Sequence, residues 1–208
     1  MSHRVIGICG GIGSGKSVVS DLLRVMGYFV YDCDSRAKAI VDSSPTIRKK
    51  LIEEFGEDIV REDESLDRKL LGAIVFNDEE KLLRLNSIVH CAVIEDLEIT
   101  IDRHSKVRTI KSTNKEQINP EEAVFFETAI LYESGLDALC DEIWWVDAPR
   151  ELRIERVMRR NNLSRDEVIV RMKRQTDTPN PSPALRSIRN YGANAITPQV
   201  VHLLSVIR

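Results

Sequence analysis

The sequence predicts an α/β fold in three layers, a parallel five-stranded sheet flanked by helices, with an inserted helical lobe. Three observations carry this. A strand, a glycine-rich loop, a helix and a second strand succeed one another within residues 4–34, the opening of a right-handed βαβ unit. The candidate strands are short apolar runs, as strands buried on both faces require. Residues 35–101 then read as almost unbroken helix before the β pattern returns.

The elements follow in order. "RVIGIC" (4–9) is β-branched and apolar and ends at glycines, which suits a buried strand. From Lys16, the apolar residues Val18, Val19, Leu22, Leu23 and Met26 fall on one helical face, and Gly27 stands at the expected end of the helix. "YFVYDCD" (28–34) is read as a second strand ending on acids. "SRAKAIV", "TIRKKLIEEFG", "LDRKLLGAIVF" and "DEEKLLRLNSIVHCAVIEDLEITI" carry apolar positions three and four apart, with breaks at Ser44-Pro45 and Gly56. The polar stretch 103–121, basic in its first half, is read as a surface connection. Strands are expected again at 122–131 and 142–148. Pro149 is placed at the first position of a helix over "PRELRIERVMRRN", and Ser164 as the cap of the next. A proline-rich loop (176–183), a last strand "LRSIRN" and a closing helix "PQVVHLLSVI" complete the chain. One domain is expected, with a core of about 1–34, 122–148 and 184–208, a helical lobe of about 35–101 and a lid of about 149–180.

Composition narrows the partners. Thirty per cent charged residues with a net charge of only −3 give no basic surface for a polyanion, so nucleic acid is not an expected partner. The cysteines (Cys9, Cys33, Cys91, Cys140) form no C-x-x-C pair and are read as small buried hydrophobes of a reducing compartment. No leader pattern or membrane-length apolar run stands out, which points to a cytoplasmic protein without a membrane partner, a monomer or a small homo-oligomer.

The glycine loop states the ligand. Gly10, four residues, then Gly15-Lys16-Ser17 fit G-x-x-x-x-G-K-[ST] between a strand and a helix, the context the P-loop requires. Backbone N–H groups from Gly11, Gly13, Ser14, Gly15, Lys16, Ser17 and Val18 would cradle a triphosphate. Lys16 would reach its β- and γ-phosphates, and the Ser17 hydroxyl would ligate Mg²⁺. ATP and Mg²⁺ are thus the expected cofactors of a P-loop NTPase fold. A GTPase is disfavoured: "NKEQ" (114–117) lacks the aspartate of N-K-x-D, and no D-x-x-G occurs.

Four further features bear on the fate of the phosphate. Asp32 and Asp34 end the second strand, where open α/β sheets place ligand-handling residues, and strand alternation would aim both to one side. A carboxylate there can take the proton of an attacking hydroxyl; Asp34 can equally cap a helix. Arg153, Arg156 and Arg160 share one helical face, with Arg159 rotated away, and read either as a solvated basic face or as a lid that neutralises a transferring phosphoryl group. Glu127, an acid in an apolar strand, is a candidate for the Mg²⁺ shell. His90 could donate to a substrate phosphate or ribose, or be a core histidine. Trp144 and Trp145 read as strand packing, one of the pair facing the core.

Placed together, these stretches resemble the dephospho-CoA kinase family. The likeness rests on "GICGGIGSGKS", "GYFVYDCDSRA", "VFNDEEKLLRLNSIVH", "ETAILYESGL", "VDAPRELRIERVMRRNNLS" and Gln175, across most of residues 4–175. It implies phosphorylation of the 3′-hydroxyl of dephospho-CoA by ATP, the last step of coenzyme A synthesis. It implies Asp34 as the base, Gly13 to Val18 as the cradle, Arg156 and Arg160 as lid contacts, and residues 35–101 as the CoA-binding lobe. The chain departs from the family's pattern at Cys33, Cys91 and Ala129, and lacks its Ala-Asp before the last strand. The alternatives are a P-loop kinase for another small hydroxyl or nucleoside monophosphate, and a nucleotide-binding regulatory ATPase.

Overall fold

The computed structural model describes residues 4–76, 78–107 and 123–207, and divides into two compact units, residues 1–32 with 100–208 and residues 33–99. In the first, β1 (Arg4–Cys9), β2 (Val30–Asp32), β3 (Ala123–Glu127), β4 (Glu142–Asp147) and β5 (Leu185–Arg189) form one sheet in the order β2-β3-β1-β4-β5. Every pairing is parallel, as expected. One face is packed by α1 (Lys16–Val25) and α8 (Ile196–Val206): Val19 and Leu23 of α1 and Val200, Leu203 and Leu204 of α8 close over Ile6, Ile8, Phe125, Trp144 and Ile188. Trp144 and Trp145 are both buried although they point to opposite faces, because both faces are covered. A second cluster joins α6 (Arg150–Asn161) to α7 (Arg165–Met172) through Ile154, Val157, Val168 and Met172, and takes in Ile12 of the glycine loop. Ser164 caps α7, as expected, and closes a reciprocal capping box with Glu167.

The unit 33–99 holds α2 (Cys33–Ser43), α3 (Pro45–Phe55), α4 (Arg68–Phe76) and most of α5 (Glu79–Val107). Ile47, Leu51, Ile59, Leu71, Val75 and Ala92 form its core. Ser44 caps α3 with Pro45 as its first residue, so the break read at this dipeptide is a helix start. A bidentate pair between Arg36 and Asp96, at 2.7–3.0 Å, ties the start of α2 to α5.

Several expectations are corrected. β2 is three residues long, not seven, and Cys33 and Asp34 open α2. The reason lies in the sheet: among the described residues β2 is an edge strand paired only with β3, and Asp32 pairs with Glu127, the last residue of β3. Beyond that pair there is no strand to continue against, so the alternation argument for Asp32 and Asp34 fails. β3 likewise stops at Glu127 rather than residue 131. Helix α5 continues through residues 103–107, because polar residues do not break a helix; His104 stacks on Phe29 at 4.2 Å between ring centroids. The rest of the basic connection lies outside the described residues. Pro149 is the N-cap of α6 rather than its first residue. All four cysteines are free, yet Cys91 is exposed rather than buried. Among the described residues no helix is long and apolar enough to cross a membrane.

Candidate active site

The glycine loop leaves β1 at Cys9 and delivers the chain into α1 at Lys16. Gly15 stands at the N-cap with φ 95°, the left-handed region that glycine enters without a Cβ penalty. No side chain caps α1 and its first turn holds no acid, so its leading N–H groups keep their partial positive charge for a ligand. Ser17 and Val18 are exposed on this turn, and Gly11 and Ser14 are buried beneath it. The Ser14 hydroxyl makes no hydrogen bond there. Lys16 folds back over the loop, its Nζ donating to the carbonyl of Gly10 at 2.8 Å and of Gly11 at 3.5 Å.

The loop is held from behind by elements more than 130 residues further along the chain. Arg156 donates to the carbonyls of Gly13 at 3.3 Å and Ser14 at 3.4 Å, and to that of Asn190 at 2.9 Å. Asn190 Nδ2 donates to the Ser14 carbonyl at 2.7 Å, and the Ile12 N–H donates to Gln175 Oε1 at 2.8 Å. Arg153 lies buried under Gly11, paired with Asp177 at 2.8 Å; a Cβ at Gly11 would run into its guanidinium. Gly11 and Gly13 thus make room for α6.

The arginines sort differently from the helical-face reading. Arg153 is turned into the protein with Ile154 and Val157, whereas Arg159 joins Arg156 and Arg160, with Leu152 and Glu155, around a cleft of about 310 Å³. The buried stripe of α6 faces α7 and the glycine loop, and this sets the rotation of the helix. Of the two arginines expected at the triphosphate, Arg156 reaches the loop; Arg160 is exposed and donates to the neighbouring Asn161 Oδ1 at 2.9 Å.

Asp32 and Glu127 are register partners at the carboxyl ends of β2 and β3, so their side chains share one face of the sheet. Burial pushes the Glu127 carboxyl above its ordinary range; the Ser20 hydroxyl and the Lys16 charge oppose the rise, and Asp32 adds to it. Among the described residues, no three His, Cys, Asp or Glu side chains are grouped to hold a metal ion. Ser17, Glu127 and Asp32 do offer the hard oxygen donors that Mg²⁺ takes alongside phosphate oxygens and water. In the other unit, Asp34 is exposed in the first turn of α2, and His90 is half-buried on α5, where burial pushes its pKa below the ordinary value.

Sequence reasoning missed Asn190 and Asp177, and had Gln175 only as a match to a pattern. Each acts through one hydrogen bond or ion pair to a residue distant in the chain, which leaves no periodicity or spacing to read.

A family model described as dephospho-CoA kinase matches residues 4–182. The chain is 37% identical over 171 residues to a protein of Carboxydothermus hydrogenoformans named dephospho-CoA kinase, covering 82% of this chain and 77% of the other. A protein of the same name from Porphyromonas gingivalis is 36% identical, with 98% and 94% covered. A crystal structure from Thermus thermophilus superimposes with a TM-score of 0.72 at 30% identity, covering 100% and 97% of the two chains. A dephospho-CoA kinase structure from Campylobacter jejuni shares the fold with a TM-score of 0.61 at 21% identity, covering 96% and 94%.

Proposed function

The chain belongs to the dephospho-CoA kinase family, and on that premise we propose that it transfers the γ-phosphoryl group of ATP to the 3′-hydroxyl of dephospho-CoA, releasing ADP and coenzyme A. The observation that carries the reading is the uncapped start of α1 directly after the glycine loop, with Lys16 as the first residue of the helix.

The roles follow from the chemistry of each group. The N–H groups of Gly11, Gly13, Ser14, Gly15, Lys16, Ser17 and Val18 bind the triphosphate, and Lys16 exchanges the carbonyls of Gly10 and Gly11 for phosphate oxygens. Asp34 accepts the proton of the 3′-hydroxyl as that oxygen bonds to the γ-phosphorus and the bond from the γ-phosphorus to the β-γ bridging oxygen breaks. Arg156 and Arg160 offset the charge spread over the transferring group. Ser17 and Glu127 would hold Mg²⁺, directly or through its waters, and the ion would supply positive charge to neutralise the phosphates during transfer. Asp32 and His90 orient the acceptor, and the residues 35–101 bind its CoA portion.

The experiment is ADP release from Mg·ATP with dephospho-CoA, with a panel of nucleoside monophosphates, and with no acceptor. Stimulation by dephospho-CoA alone, with coenzyme A formed in equal amount, is the expected result. Stimulation by a nucleoside monophosphate instead would replace the acceptor, and equal hydrolysis without any acceptor would favour a regulatory ATPase.

A further inference from the structure

We propose that Asn190 is a positioning residue for phosphate binding: its side-chain amide holds the Ser14–Gly15 peptide in the orientation that aims the Gly15 N–H at the bound phosphates. The inference rests on residues 10–17 being the triphosphate cradle and is independent of which acceptor is used.

The geometry is specific. A carbonyl can only accept, so the Asn190 atom at 2.7 Å from the Ser14 oxygen is the amide nitrogen, donating. Arg156 Nη1 places a second donor on the same oxygen at 3.4 Å. A trans peptide is planar with its C=O and N–H antiparallel, and no peptide among the described residues is cis. Two donors gathering the Ser14 oxygen on the side of β5 and α6 therefore turn the Gly15 N–H to the opposite side.

The pin is needed because nothing local supplies it. Gly15, at φ 95°, lacks the Cβ that would resist rotation of the preceding peptide, and α1 has no side-chain cap to lock its start. The absence of that Cβ also makes the contact possible, since a Cβ at Gly15 would collide with the Asn190 amide nitrogen. Asn190 is itself anchored by main-chain groups: its N–H donates to the Asp147 carbonyl at the end of β4 at 2.8 Å, and its carbonyl accepts from Arg156 Nη2 at 2.9 Å. These bonds survive any side-chain substitution at 190, so a variant removes the clamp and leaves its mount.

Asn190→Asp exchanges the donor for an acceptor at constant size, and Asn190→Ala deletes it. The test titrates the wild type and both variants with Mg·ATP and with Mg·tripolyphosphate, which carries phosphates and no base, and follows the KM for dephospho-CoA. The expected result is at least tenfold weaker binding of both ligands by the same factor, the scale of one hydrogen bond to a charged group, with the KM for dephospho-CoA within twofold of wild type. Weaker binding of ATP with tripolyphosphate unchanged would make Asn190 a base contact and overturn the proposal. So would a loss below twofold in both variants, or a KM for dephospho-CoA that moves with the ATP affinity. Should both variants fail to fold, the amide resonance of Gly15 in the wild type decides: it shifts on addition of tripolyphosphate if the N–H faces the phosphates, and stays still if the proposal is wrong. A wild type that binds neither ligand would overturn the cradle and the clamp together.

Discussion

The pair Arg153–Asp177 offers a prediction with a magnitude set by burial. The Arg153 side chain is 8% exposed and Asp177 50% exposed, with their nearest atoms at 2.8 Å. A fully exposed pair contributes about 0.2–1 kcal/mol, whereas removing one partner of a fully buried pair costs about 3–5 kcal/mol because a charge is left uncompensated. With one partner buried and the other half in water, Asp177→Ala should cost about 1.5–2 kcal/mol. In a chain of 208 residues this lowers the melting midpoint by about 3–8 °C. Arg153→Met removes the charge and keeps a linear apolar side chain beneath Gly11. The double variant should therefore be more stable than Asp177→Ala alone, since no buried guanidinium is stranded. Thermal and urea unfolding of the four proteins form the cycle. A cost below 0.3 kcal/mol for Asp177→Ala, or a double variant less stable than either single one, would refute the view that Asp177 compensates a buried charge.

Four further outcomes are expected. Glu127→Gln should stabilise the protein at neutral pH: burial raises the folded pKa of this acid, so the stability it lends is full below its unfolded pKa and is lost as pH rises through the raised folded value; unfolding free energies between pH 4 and 8 should show this slope in the wild type and not in the variant. The same variant should require more Mg²⁺ for half-maximal turnover if Glu127 serves the metal. Asp34→Asn should bind ATP as the wild type does and transfer phosphate about 10²–10⁴-fold more slowly; retained turnover would remove Asp34 as the base. In a native thiol titration at pH 8, only the exposed Cys91 should react quickly, since burial pushes the Cys9 and Cys140 thiols up to about 12 and Cys33 is buried; fast modification of Cys9 would show the strand under the glycine loop to be open.

The parts of the fold legible in the sequence are those encoded within a dozen residues. β1, the glycine loop and α1 could be read because apolar run, glycines and helical period stand side by side, and the cap of α7 at Ser164 because it stands directly before the helical pattern. The end of β2 could not be read from "YDCD", which serves as strand or as helix start; β3, far along the chain, decides by ending at the residue paired with Asp32. The polar 103–107 stretch was misjudged for a related reason, since polarity reports exposure and not the absence of a helix.

The site divides in the same way. Sequence alone determined the nucleotide ligand class and set the glycine loop and its lysine between β1 and α1, because the strand, the glycines and the helical period stand side by side in the chain. Only the tertiary structure decided what holds that loop in place: Arg153 turned inward and paired, Arg156 on the loop carbonyls, and Gln175 and Asp177 brought in from the chain after α7 and Asn190 from the position after β5. Each of those contacts is made of directed bonds across more than 20 residues of chain. Such a bond exists only once sheet order and helix rotation have fixed which side chain meets which carbonyl.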